Sequence, residues 1–340
     1  MTRRACFYAH VDDKEVMNRV QFYRHDIDSL QKMGFEVITA RRWRDIPWNA
    51  DVYFVWWWTW AFQPLLKARL RNRPVIVTGV FGFYWGPQAF VRRPRWQRAV
   101  LSASVRRCAV NVPVSELELE EMIHEFPDVE ARWVPCSVDT STYRPGTKER
   151  DPTLVFTIAW LGEFNAQRKS LPELVAAIPL VIAESPGTHF VIAGVKGKAY
   201  EGLVKQATAS GVNEAIEWTG PISEERKISL LQRCGVYLQP SKFEGFGLAI
   251  LEAMSCGATV VTSQVGAVPE VVGETVVFCD GEDPRSIADA ILRVQRERDS
   301  SRRLGIEARV RAEERYSIER RSASLSGIVG ELVGKRTKRR

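Results

Sequence analysis

Two carboxylates, Glu244 and Glu252, stand with seven residues between them in the run SKFEGFGLAILEAMSCG, 241–257, which is otherwise mostly small and apolar. Gly245 and Gly247 follow the first glutamate, and glycine lets a backbone approach a ligand closely. The periodicity places a helix from about Leu248 through Glu252 to Cys256, with Gly257 as its stop. The first N–H groups of a helix have no partner inside it and carry partial positive charge, so the 245–248 backbone suits a diphosphate. Glu244 precedes that helix, and Glu252 lies more than a turn inside it. They are therefore expected to touch different parts of one extended ligand.

Other residues that could do chemistry are more scattered. Asp26 and Asp28 spell DxD, but in a helical pattern their side chains diverge, so no metal site is expected there. His10 ends the strand-like run ACFYA. The loop after RPVIVTG reads VFGFYWG, 80–86, and its aromatic faces suit the apolar faces of a sugar ring; Gly79, Phe81 and Tyr84 are the residues singled out. The segment VRRPRWQRAVLSASVRR, 91–107, carries six arginines and a tryptophan, a pattern suited to phosphates or to a membrane interface. GKRTKRR, 334–340, is a second basic stretch.

These residues must be positioned by elements, and the chain reads as alternating strands and helices. ACFYA precedes a helical pattern over 16–33; FEVITA, DVYFVW, RPVIVTG, CAVNVPVS and ARWVPC follow as strand-like runs. After the turn-rich join YRPGTKERDP, 143–152, the alternation restarts with TLVFTIAWLG, a helix over 171–184, HFVIAG, AIEWTG, GVYLQP, ATVVTS and TVVFC. From about 284 to 333 the pattern is almost entirely helical. Such alternation implies βαβ units and parallel sheets. Two series imply two Rossmann-like α/β domains with a cleft between them, ligands lying outside the carboxyl ends of the strands.

Length and composition agree with a two-domain globular protein: 340 residues, 45% hydrophobic and 26% charged. The net charge of +7 favours an anionic partner, and with no recognition motif beside the charge, nucleic acid is not expected. The six cysteines form no CxxC pair, so neither a zinc site nor a disulfide framework is expected, and a reducing cytoplasm is the expected location. The start MTRRACFYAHVDDKE lacks the apolar core of a signal peptide, and VYFVWWWTWAF, 52–62, is shorter than the roughly 20 apolar residues of a membrane span.

The 241–257 segment, followed by TSQVGAVPEVV, 262–272, resembles the donor site of glycosyltransferase family 4, retaining enzymes of the GT-B fold. WVPCSVDTSTYRP, 133–145, is similar to the family segment that ends the first domain, and YSIERRSASLSGIV, with Arg320, to its final helix. The resemblance implies domains at 1–148 (acceptor side) and 149–315 (nucleotide-sugar side), with 316–340 as a helix crossing back plus the basic tail. It implies that Glu252 hydrogen-bonds the nucleotide ribose, that Glu244 lies beside the transferred sugar, and that Gly245, Phe246, Gly247 and Leu248 hold the diphosphate. Lys169 matches the family's phosphate-binding lysine. Glu163 stands where the family has an arginine, a charge reversal for which Arg168 is the candidate substitute. The first domain lacks the family's glycine-rich loop and its histidine, Thr78 and Gly79 standing in the latter's place; His10, Gly79, Phe81 and Tyr84 are the acceptor-side candidates.

The function so implied is retaining transfer of a hexose-type sugar from a UDP- or GDP-type donor to a glycan, in polysaccharide biosynthesis, without metal or other cofactor. The acceptor is expected to be lipid-linked, with the protein peripheral on the cytoplasmic face of an anionic membrane. Two alternatives are a nucleotide-sugar-binding protein without turnover and a GT-B-fold epimerase of nucleotide sugars.

Overall fold

The structure, a computed structural model, describes residues 2–84, 86 and 89–337. The chain divides into two compact units, one formed by 1–137 together with 318–340 and the other by 138–317. Each is built on its own parallel sheet.

The first unit runs β1 (Arg3–Ala9), α1 (Glu15–Arg19), α2 (Gln21–Lys32), β2 (Phe35–Ala40), β3 (Val52–Trp56), α3 (Phe62–Leu70), β4 (Val75–Gly79), α4 (Arg95–Arg107), β5 (Val110–Pro113) and α5 (Glu116–Glu125). Its strands lie in the order β2-β1-β3-β4-β5, all parallel. β3 and β4 are buried at every position, which is why they read as unbroken apolar runs. The expected helix over 16–33 is two, because Val20 takes an extended conformation (φ −80°, ψ 117°) between α1 and α2. ARWVPC, expected as a strand, makes only the isolated bridge from Ala131 to Asn111. Ser115 caps α5 by accepting from the Glu118 N–H at 3.2 Å.

The second unit continues with β6 (Asp151–Ile158), α6 (Glu163–Arg168), α7 (Leu171–Glu184), β7 (His189–Ala193), α8 (Tyr200–Ala209), β8 (Ile216–Gly220), α9 (Glu224–Arg233), β9 (Cys234–Gln239), α10 (Leu248–Ser255), β10 (Val260–Thr262), α11 (Val268–Val272), β11 (Val277–Phe278), α12 (Pro284–Arg296) and α13 (Arg298–Tyr316). The parallel order is β11-β10-β9-β6-β7-β8. β6 pairs with β7 on one side and β9 on the other, so the connections leaving β6 and β9 part in opposite directions. A parting of this kind opens a crevice at the carboxyl ends of the two strands. The core on one face of this sheet is closed by α7 and α12, with Val175, Ile178, Ile287 and Ile291 inaccessible to water.

The sequence places the domain join at 148/149, whereas the units divide at 137/138. The reason is local: the Val138 N–H donates to Tyr316 O at 2.8 Å, and the Arg309 guanidinium donates to the carbonyls of Thr140 and Tyr143, binding 138–143 to the second unit.

The last helix, α14 (Ile318–Thr337), belongs to the first unit and packs on α2. Its anchor is Arg321, whose Nε and Nη2 donate to the two Asp26 carboxylate oxygens at 2.7 and 2.8 Å. Nη1 donates to the carbonyls of Val134 and Pro135, and the Trp56 indole N–H donates to Asp26 Oδ2 at 2.9 Å. Both members of this pair are buried. A buried carboxylate held by three donors has no need of a metal, which accounts for half of the DxD pattern.

Candidate active site

The chain leaving β6 supplies the cations. Gly162 caps α6, and Lys169 follows its last turn. Ser170 then adopts φ +50°, uncommon for a residue with a Cβ, and hands the chain to α7. After this turn the Lys169 side chain reaches back to the carboxyl ends of the central strands β6 and β9. Its Nζ donates to Ile158 O at 3.1 Å and to Gln239 Oε1 at 3.1 Å, so the ammonium bridges the last residues of β6 and β9. Burial lowers the Lys169 pKa below the ordinary lysine range; the Glu244 carboxylate opposes that shift, and Arg168 adds to it.

The chain leaving β9 supplies the first carboxylate. Glu244 is buried, and its Oε1 accepts from Gln239 Nε2 at 2.8 Å and from the Ser241 hydroxyl at 3.3 Å. Arg168 Nη1 lies 2.8 Å from the same oxygen and also donates to Phe243 O. Lys169, Gln239, Glu244 and Arg168 thus form one hydrogen-bonded cluster across the mouth of the β6/β9 crevice. Gly266 holds the cluster from behind: at φ +53°, an added Cβ would meet Glu244 O at 2.1 Å, while the Ala267 N–H donates to that same carbonyl. The glycine of VGAVPEVV is therefore required by a backbone that touches the Glu244 turn.

Gly247, at φ +91°, opens α10, and no side chain caps it. Its first-turn amides are thus available to an anion. Phe246 contributes backbone alone, because its ring is buried edge-on against Tyr316 at 5.8 Å. Leu248 begins the helix and is half-buried.

Glu252, one turn further, is held by groups that motif reading did not select. Lys227 Nζ lies 3.1 Å from Glu252 Oε1 and 3.0 Å from Oε2, and the Tyr143 hydroxyl lies 3.1 Å from Oε1. Glu224 meets both Lys227 and the Tyr143 hydroxyl. Burial raises the Glu252 pKa, and Lys227 opposes the shift. Lys227 sits on α9 of the second unit, outside the quoted motifs, and Tyr143 sits in the 133–145 segment before its first strand, where the resemblance gives it no role. Gln239 had a weak signal as the polar residue closing an apolar strand.

Glu163 is exposed in the first turn of α6, where the helix dipole favours a carboxylate. The cation at Glu244 is instead Arg168, at the other end of the same short helix.

In the first unit, His10 is exposed at the carboxyl end of β1 and stacks on Trp60 at 4.2 Å, bridging the ends of β1 and β3, which are neighbours in the sheet. Gly79 has φ +132°, and a Cβ there would lie 3.0 Å from the Trp57 ring, so a structural demand already explains this glycine. Phe81 is a correction. It is 8% exposed and stacks on Phe83 at 4.2 Å, with Trp58, Phe90 and Phe126 around it, so its ring cannot receive a sugar. The Phe81 and Gly82 N–H groups donate to Glu118 Oε1, which turns the loop inward. Tyr84 remains partly exposed, its hydroxyl bonded to Glu125, which pushes its pKa up to about 12. Trp85 and the final 338–340 of the basic tail lie outside the described residues.

Among the described residues no cluster of three or more His, Cys, Asp or Glu comes together to hold a metal, and no helix is long and apolar enough to cross a membrane.

With this geometry in place, the chain can be compared with known proteins. The family model "Glycosyl transferases group 1" matches residues 148–311, which span nearly all of the second unit. Over 158 residues it is 32% identical to a phosphatidylinositol N-acetylglucosaminyltransferase component from Arabidopsis thaliana, a match covering 46% of this chain and 35% of that protein. The chain spans about a third of the length of such curated relatives. Among solved structures, a sucrose-phosphate synthase from Thermosynechococcus elongatus superposes with a TM-score of 0.78 at 17% identity, over 98% of this chain and 100% of that one. Anabaena Alr3699/HepE in complex with UDP and glucose superposes with a TM-score of 0.76 at 14% identity, over 97% and 100%. The fold is GT-B, with two Rossmann-like α/β domains.

Proposed function

We propose that the protein transfers a glycosyl group from a nucleotide-diphosphate sugar to a glycan acceptor with retention of anomeric configuration. The observation that carries this reading is the Lys169–Gln239–Glu244–Arg168 cluster at the β6/β9 crevice, beside the open amide end of α10. Lys169, Arg168 and the 245–248 amides face the diphosphate, whose charge grows as the glycosidic bond breaks; fixed donors aimed at growing charge are an effective catalytic device. Glu252 accepts from the ribose hydroxyls. Glu244 accepts from hydroxyls of the transferred sugar and is not assigned as a nucleophile, since one of its oxygens already takes three donors. The cations are supplied by side chains, so no metal is required for the leaving group.

A UDP-type donor is supported by the UDP complex of the Anabaena neighbour. An acceptor presented on a lipid is supported by the phosphatidylinositol named for the Arabidopsis relative and by the arginines of α4. Thermal-shift measurements with UDP-, GDP- and ADP-sugars identify the donor, since a ligand bound by the native state alone raises the melting temperature. Product analysis by NMR then reads the anomeric configuration. An inverted product would refute retention, and no shift with any nucleotide sugar would refute the donor site.

A second reading, nucleotide-sugar binding without turnover, is favoured by Glu163 at the family's arginine position. It predicts a thermal shift with no transfer to any acceptor.

A further inference from the structure

Within the first unit, α3 and α4 leave a groove of about 880 Å³ between them, above the start of β4. Its walls are apolar, with Phe62, Leu65 and Leu66 from one helix and Trp96, Val100 and Leu101 from the other. Leu66 is 55% exposed and Trp96 is 68% exposed. Leu70, the last residue of α3, and Val91, ahead of α4, are exposed apolar side chains outside the lining. A contiguous exposed apolar surface of this kind marks an interaction site rather than an ordinary monomer surface.

The rim carries charge of one sign. Arg69, Arg73, Arg93 and Arg107 line the groove, and no aspartate or glutamate is among the described residues that do. Asp51, outside the lining, engages one nitrogen of Arg73 at 2.9 Å. Thr59, Asn72, Gln97 and Ser104 are the uncharged polar side chains of the lining, and the Ser104 hydroxyl donates to Val100 O at 3.0 Å within its own helix. One end of the groove is Trp60, which stacks on His10; the other is Asn72 and Arg73 at the amino end of β4. The groove therefore runs along the sheet toward the end where ligands of such folds bind.

We propose that this groove is a docking site for an anionic phospholipid of a bilayer surface, one acyl chain lying between α3 and α4 and the phosphate on the arginine rim. An alkyl chain matches the apolar walls of Phe62, Leu65, Leu66, Trp96, Val100 and Leu101, and arginine forks match phosphate oxygens. Trp96 and the arginines suit the boundary between headgroups and acyl chains, where amphipathic rings and long basic side chains concentrate. The proposal deepens the lipid-presented acceptor reading above. Its test reads vesicle binding alone, so it can fail while sugar transfer stands, and the reverse.

The full chain is floated with vesicles of phosphatidylcholine and with vesicles containing a growing share of phosphatidylglycerol. This is done at about 0.1 M salt, where the Debye length is about 10 Å, and at about 1 M, where it is about 3 Å. Leu66→Asp, Trp96→Gln, Arg69→Gln and Arg107→Gln are compared, all at exposed positions and all checked for an unchanged melting temperature. The expected result is binding that rises with phosphatidylglycerol and persists in part at high salt. Each arginine substitution should lower the partition coefficient roughly fivefold. Leu66→Asp should lower it roughly tenfold or more and remove the salt-resistant part. The proposal is overturned if wild type stays with the unbound fraction at low salt, if it binds neutral vesicles equally well, or if Leu66→Asp and Trp96→Gln leave binding intact. Self-association that Leu66→Asp abolishes, without vesicle binding, would overturn it in favour of a second copy as the occupant.

Discussion

Replacing Glu252 by glutamine keeps the side chain's shape and removes its charge. In the free protein Lys227 loses a partner at 3.0 Å but keeps Glu224 at 3.2 Å, and the Tyr143 hydroxyl can still donate to the amide oxygen. Because burial disfavours the carboxylate, the neutral amide should cost the free protein less than about 1.5 kcal/mol, well below the 3–5 kcal/mol of a buried charge left alone. In the complex the ribose hydroxyls lose a charged acceptor worth about 1.5–3 kcal/mol, which corresponds to a roughly 10- to 150-fold weaker nucleotide affinity. Calorimetry with the nucleotide of the identified donor measures this, and its 2′,3′-dideoxy analogue isolates the contact: wild type and Glu252→Gln should bind the analogue alike. The pH dependence has a definite sign. Because burial raises the Glu252 pKa, wild-type affinity should weaken as pH falls through a point above the ordinary glutamate range, and the variant should show no such step. The same shift makes the folded protein hold the Glu252 proton more tightly than the unfolded chain. Its contribution to stability therefore falls as pH rises from the ordinary glutamate pKa through the raised one, and is constant above it. An equal loss of affinity for nucleotide and dideoxy analogue would refute the ribose assignment.

Lys169→Ala should lower turnover more than it lowers nucleoside monophosphate binding, as kinetics and calorimetry would show. Since burial lowers the Lys169 pKa, wild-type activity should decline on the alkaline side before free lysine titrates, and Lys169→Arg should move that limb upward. Arg168→Ala should likewise reduce turnover, because it removes the cation 2.8 Å from Glu244; unchanged activity would separate Arg168 from the reaction. EDTA should leave transfer intact, and a complete loss restored by manganese would contradict the side-chain-based site. Arg321→Met should cost about 3–5 kcal/mol in urea denaturation by leaving the buried Asp26 carboxylate without its charge partner, and a loss below about 1 kcal/mol would show that the pair is not what holds α14.

The sequence made the parallel sheets legible, and the turn and helix that carry Glu244 and Glu252, because each follows a short-range rule. Strands buried on both faces are continuous apolar runs, and a glycine turn before a helix advertises its open amides. What it hid depends on distance along the chain. Lys227 reaches Glu252 from 25 positions away with no pattern of its own, and Tyr143 from 109, inside the 133–145 segment, whose resemblance gives the tyrosine no role. Phe81 misled because an aromatic beside glycines reads alike whether it faces solvent or core; the deciding group is Glu118, 37 positions on, which draws the loop amides inward. Arg320 and Arg321 read alike in the sequence, but consecutive helical residues point to different faces, and only the packing on α2 tells that Arg321 is the buried one.

The pairing of Asp26 with Arg321 also sets a timetable. The two residues are 295 positions apart, and a ribosome adding 5–20 residues per second needs about 15–60 s to cover that interval. Meanwhile the second unit, contiguous from 138 to 317, is synthesised whole. The unit begun first is thus completed after the other: Asp26 waits for its partner, and the surface of α2 that α14 covers stays bare until α14 has been made. Chains interrupted after residue 317 would carry a finished second unit on an unfinished companion, a product suited to capture by chaperones or proteases.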